Sequence, residues 1–119
     1  MTIREVSEKF ELSADTIRYY ERIGLIPHVP RKPNGIRDFD ETSCNWLSFV
    51  KCMREAGVQI EALIKFVTLR DQGEHEEECR EILLEQRERI ERQIEKSQKT
   101  LDRLNYKISH FDEVIRGRK

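Results

Sequence analysis

The chain has 119 residues, 38% charged and 37% apolar, with a formal net charge of −1 and a mean hydropathy of −0.74. These values allow one small core plus an appendage, and exclude a large enclosed chamber, a collagen-like repeat and a simple polybasic coat for nucleic acid. No apolar run approaches the roughly 18 residues of a membrane span, and Met1-Thr2-Ile3-Arg4-Glu5 is unlike a secretory signal, so a cytoplasmic protein without a membrane partner is expected. Cys44, Cys52 and Cys79 form neither an even set nor a CxxC pair, so reduced thiols are expected.

Thr2 and Glu5 have capping-box spacing, and Ile3, Val6 and Phe10 follow on one helical face. A short first helix is predicted there. Leu12-Ser13 makes a turn, and Ser13 caps a second helix that runs to about Ile23 and stops at Gly24. Two short helices joined by a tight turn suggest a helix-turn-helix. On the second helix, Ile17, Tyr20 and Gly24 suit packing, while Asp15, Arg18, Tyr19 and Arg22 share the opposite face. Arginine can grip phosphates or a guanine edge, and tyrosine adds a hydroxyl and a flat surface. The plainer alternative is a solvated face with one arginine paired to Asp15.

All three prolines and two of the glycines lie between Gly24 and Gly35. Within Arg31-Lys32-Pro33-Asn34-Gly35-Ile36-Arg37, the Asn-Gly pair signals a two-residue type I′ hairpin. A basic hairpin directly after a helix-turn-helix reads as a wing that touches a DNA backbone or minor groove. Asp40 then caps a third helix with Trp46, Leu47, Val50 and Met53 on its apolar side, stopped by Gly57. Ile60, Leu63, Ile64 and Val67 mark a fourth helix, ending near Gly73.

From Glu74 the pattern becomes heptads. Leu83, Ile90, Ser97, Leu104 and Phe111 alternate with Arg87, Ile94, Leu101, Ile108 and Ile115, and eight of these ten are apolar. One continuous helix of about 60 Å is predicted, with a seam that needs a partner, most simply a second copy. Residues 74–95 carry four Lys/Arg against nine Asp/Glu, and residues 96–119 carry seven against three. Opposite charges meet in an antiparallel pair, so an antiparallel homodimer is expected.

The fold expected is therefore all-α with a small β wing: a winged helix-turn-helix over residues 1–71 and a dimerising coiled-coil helix over 72–119. The run Thr16-Ile17-Arg18-Tyr19-Tyr20-Glu21-Arg22-Ile23-Gly24-Leu25-Ile26 resembles the second helix and turn of the MerR family of bacterial transcription regulators. Gly35-Ile36-Arg37-Asp38-Phe39 resembles its wing, with Ile36 and Phe39 near where many members carry tyrosines. The resemblance implies a homodimer on a palindromic operator inside an overlong promoter spacer. It also implies control of RNA polymerase through DNA distortion. It assigns Thr16, Arg18 and Tyr19 to the groove and Arg37 to the wing's backbone contact. Arg22 and Lys32 join them as candidate DNA contacts by their place on the helix face and the wing. Leu83, Ile90, Ile94, Leu101, Leu104, Ile108 and Phe111 are the candidate dimer seam.

Phe49-Val50-Lys51-Cys52-Met53-Arg54-Glu55-Ala56-Gly57 resembles the branch of the family that responds to reactive aldehydes and nitrosative stress, which implies Cys52 as a sensor thiol. Its helical neighbours are Ser48, Phe49, Glu55 and Ala56, so activation must come from elsewhere in the fold or from a partner subunit. The alternatives are an unreactive boundary residue, a metal-responsive regulator using His75 and Cys79, and a coiled-coil scaffold or anti-activator that no longer binds DNA. No nucleophile–base set, phosphate loop or paired catalytic carboxylates can be read. Neither an enzyme nor a cofactor or metal is expected.

Overall fold

The computed structural model describes residues 1–116, and they form α1 (Ile3–Phe10), α2 (Ala14–Ile23), α3 (Glu41–Glu55), α4 (Ile60–Gln72), α5 (Glu76–Ser109) and α6 (Phe111–Arg116). Two compact units result, the first spanning Met1–Gln86 and the second beginning at Arg87.

Caps set the boundaries of the first three helices. The Thr2 hydroxyl accepts the Glu5 N–H while the Glu5 carboxylate accepts the Thr2 N–H, closing the box expected at α1. Glu11 ends α1 in the left-handed region at φ 55°, a conformation that costs a non-glycine residue about 1–2 kcal/mol. The Ser7 hydroxyl donates to the Leu12 carbonyl across the same turn. Ser13 accepts from the Thr16 N–H to start α2, and Gly24 ends it at φ 83°. Asp40 accepts from the Ser43 N–H and hydroxyl to start α3.

The core of the first unit comes from helix faces and from the loop after α2. Val6, Ile17, Leu25, Ile26, Phe39, Leu47, Val50 and Leu63 are each at most 1% exposed, and burying such side chains contributes roughly 1.5–3 kcal/mol apiece. Helix α1 packs on α2 and α3. A second cluster joins Phe66, Cys79 and Ile82, with Trp46, Phe49, Ala62 and Leu69 packed against it. Its rings interlock, Phe49 stacking on Phe66 at 5.4 Å and Trp46 meeting Phe66 edge-on at 6.3 Å. Gln59, the N-cap residue of α4 whose side chain makes no capping bond, and Gln86 of α5 exchange two 3.3 Å hydrogen bonds. The first turns of α5 are thus fastened to α3 and α4.

Three expectations are corrected. No β wing with strands forms: among the described residues the segment holds a single antiparallel bridge, Arg31 to Arg37. The turn is also not type I′. The Gly35 N–H donates to the Lys32 carbonyl and the Lys32 N–H to the Ile36 carbonyl, both at 2.8 Å. Gly35 has φ 86°, while Asn34 is not among the residues at positive φ. Pro33 pre-sets a negative φ and so takes the first central position of an ordinary turn. Gly35 becomes the left-handed residue that follows. Finally, the long helix does not run unbroken to Ile115. It ends at Ser109, and a turn at His110 leads into α6. There the His110 ring nitrogen and backbone N–H converge on one acceptor, the Tyr106 carbonyl, at 2.9 and 3.0 Å.

The apolar seam of the second unit lies open. Ile94, Leu101, Leu104, Ile108, Phe111 and Ile115 are each 49–68% exposed, and Ile90 is half-buried. In the first unit Leu83 is 40% exposed.

Candidate nucleic-acid interface

Helix α2 buries Ile17 and leaves Arg18, Tyr19 and Arg22 exposed, as its periodicity predicts. Arg18 makes a 3.0 Å ion pair with Asp15, whose side chain is 95% exposed. A pair this open is worth little, so Arg18 can exchange Asp15 for a phosphate or a base edge. The Arg22 guanidinium lies over the Tyr19 ring, 5.2 Å from its centroid, which holds both side chains on the solvent face. Thr16 is half-buried, and its hydroxyl accepts from Ser13 at the helix start.

Lys32 is exposed in the tight turn, and Ile36 beside it is 57% exposed. Phe39 is 1% exposed and belongs to the core, away from any groove contact. Arg31 is exposed, and its guanidinium donates to the Gly35 carbonyl at 2.8 Å, bracing the turn. Arg37 is half-buried: its Nε donates to the Glu21 carboxylate at 2.7 Å.

Glu21 is 8% exposed. One oxygen accepts from Arg37 and the other accepts the Val29 N–H at 2.6 Å, while the His28 ring lies 3.9 Å away. Burial pushes the carboxyl up, but the Val29 N–H and the Arg37 guanidinium outweigh it, and the group sits below the ordinary carboxylate range. Arg18, Arg22, His28, Arg31 and Arg37 line one cleft around this acid. Sequence reasoning did not single out Glu21 or His28, and took Arg31 only as one of the basic residues of the turn. The available signal was a charged residue one turn after Ile17, on the face that packs.

The three thiols are free and differ in access: Cys52 is exposed, Cys44 half-buried and Cys79 buried. Cys52 therefore faces solvent, while α3 turns Leu47 and Val50 inward. Cys79 lies beneath Phe66 and Ile82. His75 reaches Glu78 at 3.2 Å, and no group of three or more metal-binding side chains occurs among the described residues.

A capped helix-turn-helix, a basic turn and a long charged helix together define a DNA-binding regulator architecture. The comparisons agree. The model of the MerR HTH family of regulatory proteins matches residues 1–70, and that of the MerR DNA-binding segment matches 45–106. The chain belongs to the MerR family of DNA-binding transcriptional regulators, and its relatives are regulators rather than enzymes. It is 52% identical over 91 residues to the HTH-type transcriptional regulator AdhR of Bacillus subtilis, covering 76% of this chain and 65% of that one. The match thus spans just under two thirds of that relative. A MerR family regulator from Listeria monocytogenes superposes with a TM-score of 0.88 at 47% identity, over 94% of this chain and 86% of that one. HiNmlR, a MerR family regulator lacking the sensor domain and solved bound to promoter DNA, superposes at 0.81 with 29% identity, over 94% and 90% of the two chains. No helix among the described residues is long and apolar enough to cross a membrane.

Proposed function

We propose that the chain acts as a homodimer on a palindromic operator within an overlong promoter spacer, and controls RNA polymerase by distorting that DNA. The observation that carries this reading is the cleft where α2 and the basic turn meet, in a fold shared with a regulator solved on promoter DNA. Arg18, Tyr19 and Arg22 enter the groove from α2, with Thr16 at its start, while Lys32 and Arg37 meet the backbone. The open seam of Ile94, Leu101, Leu104, Ile108 and Phe111 supports pairing of two copies, with Leu83 and Ile90 extending it. Charge favours the antiparallel arrangement.

Reactive electrophiles act at Cys52 in this reading. Its exposure meets the access requirement of a sensor thiol. The test is enrichment of duplexes from a random pool, followed by footprinting with and without a reactive aldehyde. Enrichment of a palindrome with altered cleavage at its centre is expected, and failure to enrich any duplex removes the reading.

A further inference from the structure

We propose that Glu21 is a positioning residue of the DNA interface: it ties Arg37 and the loop at Val29 to α2, and so sets how far the basic turn stands from the recognition helix. The inference rests on the DNA-binding reading above and adds a residue that this reading does not use.

A carboxylate in a cleft of four arginines and a histidine weakens binding to a polyanion if charge is all that counts. It is also costly to bury unless it is fully hydrogen-bonded. Glu21 meets that condition through two short contacts that come from outside its helix, at Val29 and Arg37. These partners lie eight and sixteen residues further along the chain, on either side of Pro30. One carboxylate therefore fixes both ends of the segment that carries the turn.

The consequence falls on Arg37. The bond from its Nε uses one of the five N–H donors of the guanidinium and fixes the plane of the group. A planar donor aimed in advance loses less freedom when it meets a phosphate than a free side chain does. The bridge between Arg31 and Arg37 and the Arg31 bond to Gly35 then carry the same alignment to the tip of the turn.

Charge and positioning make opposite predictions, which gives a clean test. A duplex is first selected from a random pool with the wild-type protein. Its affinity is then measured across a salt series for wild type, Glu21→Gln, Arg37→Ala, Arg37→Lys and the double variant Glu21→Gln/Arg37→Ala. Circular dichroism checks each for folding. Positioning predicts that Glu21→Gln binds roughly tenfold more weakly, with a salt slope lower by about one. It predicts that the double variant binds no worse than Arg37→Ala, since both act through one bond. Arg37→Lys keeps the charge and should still lose affinity. Unchanged or tighter binding by folded Glu21→Gln overturns the proposal, as does wild-type affinity in Arg37→Lys should Glu21→Gln fail to fold. If the wild type enriches no duplex, the operator reading falls too; if it enriches one, only the role of Glu21 is at stake.

Discussion

Three side chains carry the predictions at the scale of single residues. Arg18 is held only by the exposed Asp15, so Arg18→Ala should leave stability almost unchanged while costing about 1–3 kcal/mol of operator affinity. Fluorescence anisotropy on a selected duplex measures this, and equal affinity would remove Arg18 from the interface. Glu21 makes stability depend on acid. Its folded carboxyl lies below the ordinary range of a glutamate, so its contribution is full above the unfolded value and is lost as pH falls through the lower folded one. Glu21→Gln should therefore flatten the acid limb of a melting-temperature profile and leave the neutral plateau lower. Cys52→Ser should keep DNA binding and lose aldehyde induction, with Cys44→Ser and Cys79→Ser inducing normally in a promoter reporter. Full induction in Cys52→Ser would end the sensor role. Arg18 and Tyr19 were legible because helical spacing alone sets which face they share. Glu21 was not, because its partner Arg37 reaches it only after the chain has turned back.

At the scale of elements, caps and turns decide where each helix stops. Gly24 ends α2 at φ 83°, and an added Cβ there would meet only the Ile64 side chain at an ordinary 3.8 Å. The obstacle is thus the backbone rather than space. Gly24→Ala should cost about 1–2 kcal/mol in urea unfolding, and a loss below a few tenths would contradict this account. The caps Thr2, Ser13 and Asp40 could be read from the sequence because capping is a contact over three residues. The turn at Gly35 could be located but not typed. Asn-Gly favours one geometry, and the preceding proline shifts the turn by one residue into another. That shift leaves a single bridge in place of a β wing.

For the whole molecule, the open seam is the decisive feature. Leu101 is 49% exposed within one chain, so Leu101→Asp would change an isolated chain little. In a paired seam it would bury a charge. Sedimentation at micromolar concentration should show a dimer for wild type and a monomer or an unfolded chain for Leu101→Asp. A stable wild-type monomer would refute the pairing. The seven-residue spacing behind this test is visible in the sequence, as is the reversal of charge along the segment. The turn at His110 is not, since an apolar spacing of four and three continues through it unchanged.

The helices, their caps, the face α2 turns to solvent and the apolar seam follow from local residue order. Each of these depends on residues within about one or two turns of one another, where spacing stands in for distance. Tertiary structure alone decided which charge would be buried and which thiol would stay open. Glu21 is enclosed because Val29 and Arg37 return to it, and Cys79 because Phe66 and Ile82 close over it. Cys52 stays accessible because α3 spends its inward face on Leu47 and Val50. Burial is a property of what the rest of the chain brings to a side chain, and local pattern does not encode that.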